Sequence, residues 1–360
     1  MPVEKIPIDQ FLKLSPENPV LDVRSPAEFS HAHIPGAFSV PLFTNEQRAI
    51  VGTAYIQESR VVAVNHGLNF FSERMKIIPE EVTNIINDWQ KEKGLVPENI
   101  LIHCWRGGMR SETVAWLLNL FGFKIYVLEG GYKSFRTWSL AQFEKKYSLK
   151  ILGGYTGSGK TEVLKELRRK GKLIIDLENL ANHKGSAFGG LGENRQPSHE
   201  MFENLLALEL WKIQNHQYNG DGYTKNDATG IWLEDESVHI GTVGIPKIFW
   251  QQMRESRLFF LDVPFNERVK FIVNTYGAFG KQDLINCILK IQKRLGGLNT
   301  KNAIQFLSDG DLHSAFSILL KYYDKMYEES LNNREGITSL LKKIPCNATV
   351  AENAKLLIEE

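Results

Sequence analysis

Short apolar runs recur along the chain, each followed by a turn signal or a stretch with helical spacing. The runs Val20–Val23, Ile100–His103, Ile125–Leu128, Lys150–Gly153, Leu173–Asp176, Ile231–Leu233 and Leu258–Asp262 predict strands. Met109–Phe121, Lys160–Lys170 and Ser198–Gln214 repeat apolar residues at helical intervals and predict helices. Strands alternating with helices predict parallel sheets covered by helices, the α/β class. The charged stretch AQFEKKYSLK separates two sets of strands. It predicts a first domain over residues 1–145 and a second over 146–345. Residues 346–360 read as a tail with a short amphipathic helix. Phe43–Glu98 is too long for a bare connection, and Glu80–Lys93 has the period of a helix within it.

Two loops carry chemistry. The first is His103-Cys104-Trp105-Arg106-Gly107-Gly108-Met109-Arg110-Ser111, between an apolar strand and a helical pattern. A turn in this position aims consecutive backbone N–H groups at one spot and adds the positive end of a helix dipole. Arg106 and Arg110 add fixed charge, and two glycines let the backbone curl. These features favour thiolate over thiol, so Cys104 is the expected nucleophile. Cys287 reads as a helix core position, and Cys346 has no charged surroundings.

The second loop, Gly154-Tyr155-Thr156-Gly157-Ser158-Gly159-Lys160-Thr161, matches the phosphate-loop pattern G-x4-G-K-[ST] between a strand and a helix. Its backbone, with Gly154, Gly157, Ser158 and Gly159, is expected to hold a di- or triphosphate. Lys160 is expected on the terminal phosphates, and Thr161 on Mg²⁺. The magnesium shell needs an acid at a neighbouring strand end. Asp235 or Glu234 is the expected one, with Asp235 ahead and Asp176 the rival. Lys184–Arg195 is glycine-rich and reads as a mobile loop over a substrate.

Composition narrows the class. Lys plus Arg number 43 and Asp plus Glu 42, a net charge of +1, so any nucleic-acid surface must be a local patch. Three cysteines exclude a disulfide framework and suit a reducing compartment. Met1–Gln10 lacks the form of a signal peptide, and no apolar run is long enough to span a membrane. A soluble cytoplasmic chain is the expectation.

Leu21–Phe29 (LDVRSPAEF), His33–Ala37 (HIPGA), the Cys104 loop and Leu128–Tyr132 (LEGGY) resemble the rhodanese family. That resemblance implies a parallel-sheet domain with flanking helices and a chalcogen carried on Cys104, with Asp22 and Arg24 structural. Five residues separate Cys104 from Arg110, where sulfurtransferase loops have four. The wider loop also resembles rhodanese-like phosphatases and suits a tetrahedral phosphate. A selenophosphate-like or thiophosphate-like donor is therefore expected rather than thiosulfate. Leu258–Arg268 (LFFLDVPFNER) resembles small P-loop kinases, which implies a P-loop NTPase/kinase-like α/β second domain.

The two loops in this order, with VGTAY at Val51–Tyr55, LENLANHKGSAF at Leu177–Phe188 and WLEDESVHIG at Trp232–Gly241, resemble the tRNA 2-selenouridine synthase family. The resemblance implies exchange of sulfur for selenium in wobble 2-thiouridine of tRNA. It implies that the selenium comes from selenophosphate, supplied by a selenophosphate-producing enzyme. The resemblance also implies an S-geranyl intermediate made from geranyl diphosphate. Cys104 is then the selenium-carrying nucleophile and Gly154–Thr161 a pyrophosphate loop, with prenyl donor and nucleotide both open as its occupant. No tightly bound cofactor is implied beyond Mg²⁺. Lys124, Lys133, Arg136, Lys145, Lys146 and Lys150 are expected on a basic patch that binds tRNA in a salt-sensitive way. The competing reading is a rhodanese-like phosphatase or sulfurtransferase fused to a small-molecule kinase. A non-catalytic tRNA-binding module is weaker, because both loops keep their reactive residues.

Overall fold

A computed structural model describes residues 3–215 and 230–358. Met1, Pro2, Glu359 and Glu360, which belong to the two terminal segments discussed above, lie outside the described residues. The chain divides into two compact units, Met1–Ala141 and Gln142–Glu360. The division falls at the end of the helix Gly131–Gln142, slightly ahead of the expected boundary, and the C-terminal tail belongs to the second unit. Both units are α/β, as the patterning predicts.

In the first unit, strands β1 (Glu4–Ile6), β2 (Val20–Asp22), β3 (Phe38–Ser39), β4 (Ile100–His103) and β5 (Ile125–Leu128) form a parallel sheet in the order β1-β5-β4-β2-β3. β4 lies in the middle and is buried along its length. A central parallel strand covered on both faces has no solvent side, hence its unbroken apolar run. The long connection carries three helices, Asn45–Gln57, Arg60–Arg74 and Ile77–Lys93. Thr44 and Ser59 cap the first two by accepting backbone N–H bonds, and Gly94 ends the third in the left-handed region. Ile102, Val114, Leu118 and Val127 meet in the core.

Asp22 and Arg24 are buried and paired at 2.6 Å. Arg24 also donates to the Ala32 carbonyl and lies 3.8 Å from the centre of the Tyr132 ring. Burial works against the Asp22 charge, but His103 and Arg24 together hold its carboxyl below the usual range. The pair ties the end of β2 to the chain leaving the helix Pro26–His31 and to Tyr132 of the helix Gly131–Gln142, a structural role.

The second sheet contains β6 (Leu149–Gly154), β7 (Leu173–Ile174) and β8 (Ile231–Glu234). A short antiparallel pair, β9 (His239–Ile240) and β10 (Val243–Gly244), follows. β11 (Arg257–Asp262) and β12 (Leu341–Pro345) complete the parallel order β12-β11-β6-β8-β7. β6, which leads into the phosphate loop, is again central. The helices Phe265–Tyr276, Lys281–Leu295, Gly297–Asp309 and Leu312–Asn332 build a second core, with Cys287 inside it. Lys184–Arg195, read from the sequence as a mobile loop, sends Phe188 into that core against Tyr276 and Phe316. The tail folds as a 3-10 helix, Ala351–Leu357, and packs Ala354 and Leu357 with Val163 and Leu164 of the phosphate-loop helix.

Candidate active sites

The end of β4 positions the first site. Beyond His103 the chain turns at Gly107 (φ 63°) and enters the helix Met109–Leu120 at Gly108. The turn is braced from behind by the start of the helix Gly131–Gln142. Tyr132 N–H donates to the Cys104 carbonyl at 2.8 Å, and Lys133 N–H to the Trp105 carbonyl at 3.0 Å. Gly131 (φ 60°) lies so close that a Cβ there would meet the Cys104 carbonyl and the Gly107 and Arg106 nitrogens. The LEGGY segment is thus the back wall of the cysteine loop. Gly131→Ala is expected to cost about 2 kcal/mol, from the left-handed backbone and the collision together, read as a drop in the denaturation midpoint at unchanged m-value.

Cys104 is 3% exposed, and the Ser111 hydroxyl lies 3.3 Å from its sulfur. Arg106 is exposed beside it. Arg110 donates to Glu28 at 3.0 Å, and Arg48 reaches the same carboxylate at 3.7 Å. Burial raises Glu28, but Arg110, the Ser25 N–H and Arg48 together hold it below its ordinary range. His103 is fully buried, and desolvation pushes it down to about 4, so it is neutral near pH 7. A thiol, a hydroxyl and three arginines around the N-terminus of a helix suit an anionic reactant.

Cys104 also borders a cavity of about 730 Å³. Its wall comes from the first two helices of the long connection, through Val51, Ile56, Val64 and Leu68, with Trp105 and Met109 from the cysteine loop. This cavity is invisible in the sequence, because it depends on how two helices meet a turn far along the chain.

In the second unit, Gly154, Gly157 (φ 83°) and Gly159 (φ 75°) shape the phosphate loop. A Cβ at Gly157 would strike the Arg268 carbonyl and the Ile272 side chain. Lys160 folds back to donate to the Gly154 carbonyl at 3.0 Å. The Ser158 hydroxyl is buried without a partner among the described residues. Arg268, also buried, donates to the Thr156 carbonyl at 3.1 Å and pairs with Asp324 at 2.7 Å. It therefore ties the loop to the helix Leu312–Asn332.

The acid beside Thr161 is Glu178, whose carboxylate accepts from the threonine hydroxyl at 3.1 Å. Asp235, the expected acid, points elsewhere. It pairs with Arg334 at 3.1 Å and accepts from the Tyr327 hydroxyl at 2.6 Å. Adjacent residues on a strand face opposite sides, so Glu234 and Asp235 part ways. Glu234 turns toward Leu177, accepting from its N–H at 3.3 Å, with its second oxygen buried and unpartnered among the described residues. Asp176, the other rival, caps the helix Leu177–Ala181 by accepting from Asn179 N–H.

Four carboxylates, those of Asp176, Glu178, Glu234 and Glu236, crowd this corner. Burial pushes Glu178 up, against the pull of Lys160 and Thr161. Burial and the charges of Asp176 and Glu178 push Glu234 far above its ordinary range. Burial and Glu178 push Glu236 up to about 8. Like charges this close favour a cation or protons between them. Among the described residues no cluster of three or more His, Cys, Asp or Glu could hold a metal by itself. Glu178, Glu236 and Arg268 lie inside motifs that are recognisable in the sequence, but their part in the site appears only in the fold. The signal for Glu178 was Asp176 itself, whose capping role puts Glu178 in the first turn of a helix at the strand end.

The fold and the two loops define a two-domain enzyme that joins a rhodanese-type cysteine loop to a phosphate-binding domain. A family model for the rhodanese-like domain matches residues 8–137, and one for the tRNA 2-selenouridine synthase AAA domain matches 147–344. The chain is 33% identical to the tRNA 2-selenouridine synthase of Shewanella frigidimarina, over 92% of this chain and 94% of that protein. It is 35% identical to that of Nitrosomonas eutropha, over 72% of this chain and 63% of that protein. Among solved structures, it resembles the N-terminal domain of a putative ATP/GTP binding protein from Clostridium difficile 630. That match has 36% identity, a TM-score of 0.33, and covers 38% of this chain and 98% of the other. The chain belongs to the tRNA 2-selenouridine synthase family. No helix among the described residues is long and apolar enough to cross a membrane.

Proposed function

We propose that this chain replaces the sulfur of wobble 2-thiouridine in tRNA with selenium from selenophosphate, through an S-geranyl intermediate made from geranyl diphosphate. The observation that carries the reading is the pairing, in one chain of this family, of a nucleophile in an anion cradle with a phosphate loop.

Each step balances. In the first, the thiocarbonyl sulfur attacks C1 of the prenyl donor. The carbon–sulfur bond forms, the carbon–oxygen bond breaks, diphosphate leaves with the electron pair, and N3 of the base gives its proton to solvent, to regain one when selenide displaces the thioether. Lys160 and the N–H groups of Gly157–Thr161 stabilise that leaving group. Mg²⁺, when bound with the phosphates, adds charge neutralisation, and Thr161 and Glu178 are the side chains to hold it. Alkylation converts a poor leaving group at C2 into a thioether that departs as a thiolate.

In the second step, selenium bonds to C2 as the carbon–sulfur bond breaks, and geranyl thiolate leaves. Selenium in selenophosphate is already at the selenide level, so the net exchange needs no redox partner, and water takes the phosphoryl group as phosphate. The Cys104 thiolate attacks phosphorus, so a sulfur–phosphorus bond forms as the phosphorus–selenium bond breaks and hydrogen selenide leaves to attack C2; water then cleaves the sulfur–phosphorus bond, giving phosphate and the free thiol. Arg106, Arg110 and the loop N–H groups hold the tetrahedral end of the donor.

The test is nucleoside mass spectrometry of 2-thiouridine tRNA incubated with the full chain under four conditions: no donor, geranyl diphosphate alone, selenophosphate alone, and both. Geranylated nucleoside with the first donor alone, and selenouridine only with both, are expected. Equal selenouridine without geranyl diphosphate would remove the prenyl step. Unchanged thiouridine in all four would sink the reading.

A further inference from the structure

The cavity beside Cys104 has no part in the chemistry described so far. Its volume of about 730 Å³ falls in the ~300–1,000 Å³ range of small-molecule sites. Large apolar side chains that should avoid water converge on it. Tyr55 is 57% exposed, Ile56 84%, Leu68 57% and Met109 51%, and all four line this one space. Its polar end is the Cys104 loop, where Arg106 and Arg110 also line it, joined by Arg48, which shares Glu28 with Arg110. Cations and a nucleophile at one end, with an apolar trough beyond, describe an occupant with a polar reacting head and a long apolar tail.

The geometry points to this cavity as the site for the prenyl chain of the S-alkylated base. The assignment rests on the function proposed above, and covalent connectivity supports it. When C2 of the base is presented to selenium at Cys104, the prenyl sulfur is one bond from C2. The chain must therefore start within a few ångströms of the Cys104 loop, where the apolar trough begins. An apolar chain placed there gains affinity by leaving water, at about fourfold per buried methylene. The prenyl group is then a handle that seats the alkylated base for the second step, as well as a way to activate its sulfur.

The test uses the full chain, selenophosphate, and tRNAs carrying S-methyl-, S-dimethylallyl- or S-geranyl-2-thiouridine. The readout is the half-saturating tRNA concentration for selenouridine formation. Native protein is expected to favour geranyl over methyl by at least 100-fold. Leu68→Lys and Ile56→Lys place a charge at exposed positions that tolerate it. Both are expected to shrink that ratio tenfold or more, whatever happens to the absolute rates. A native protein indifferent to chain length, or variants that keep the native ratio, would overturn the assignment.

Selenouridine from none of the tRNAs would sink the functional reading instead. The cavity is then read by Trp105 fluorescence against geranyl thiol, with Trp105→Phe as the background. Quenching that disappears in Leu68→Lys upholds the assignment, and absence of quenching overturns it.

Discussion

Exchange of Cys104 for alanine is expected to abolish selenouridine and leave S-geranyl-2-thiouridine as the end product. Loss of an enzymic nucleophile costs roughly 10³–10⁶ in rate, so selenation should fall below detection in an ordinary time course. The protein should stay folded. Among the described residues the Cys104 sulfur meets the Ser111 hydroxyl at 3.3 Å and the Gly108 carbonyl at 4.0 Å, and neither contact holds the loop. The loop is held by the Tyr132 and Lys133 N–H groups, which bond to backbone carbonyls and survive the substitution. On the proposed function geranylation draws on the phosphate loop of the other unit, so its product should accumulate. Lys160→Ala should fail earlier, leaving thiouridine. Nucleoside mass spectrometry distinguishes the two. A Cys104→Ala protein that still makes selenouridine at more than a hundredth of the native rate would remove the thiol from the mechanism.

The centre of each sheet was more legible in the sequence than its margins, where of the four edge strands of the two parallel sheets only β7 follows a predicted apolar run. β4 and β5 fall where the apolar runs place them, and β6, β8 and β11 differ by a residue or so at their ends. All are interior to a sheet, where burial on both faces enforces an unbroken apolar run. β1, β3 and β12 were not foreseen, and each is an edge strand. Edge strands need neither length nor apolarity, and charge on them blocks wrong pairing. Leu341–Pro345, with two lysines and a terminal proline, is such a strand.

The sites divide in the same way. Cys104 and the phosphate loop were legible because each is a local motif, with the backbone of a few consecutive residues doing the binding. The apolar cavity and the Gly131 back wall depend on segments distant in sequence. The acid beside Thr161 was misplaced for a related reason. A strand-end pair such as Glu234-Asp235 gives no hint of which side faces the loop until the partners of each are known.

That last point separates two substitutions. Asp235→Ala leaves the Arg334 guanidinium, whose side chain is fully buried, without its carboxylate, and takes the acceptor from the Tyr327 hydroxyl. Breaking a buried ion pair from one side costs about 3–5 kcal/mol. Arg334 keeps bonds to the carbonyls of Met253, Arg254 and Ser256, so the lower end of that range is expected. Glu178→Gln has the opposite signature. It removes one negative charge from a corner shared with Asp176, Glu234 and Glu236, so stability should hold or rise. The cost falls on the ligand: the magnesium-dependent part of diphosphate affinity should drop about tenfold, the scale on which a neighbouring group tunes a metal site. Chemical denaturation and diphosphate titration with and without Mg²⁺, on both variants, read the two effects. If Asp235→Ala folded with native stability and lost its magnesium dependence while Glu178→Gln kept it, the shell would belong to Asp235 and the Thr161–Glu178 contact would be incidental.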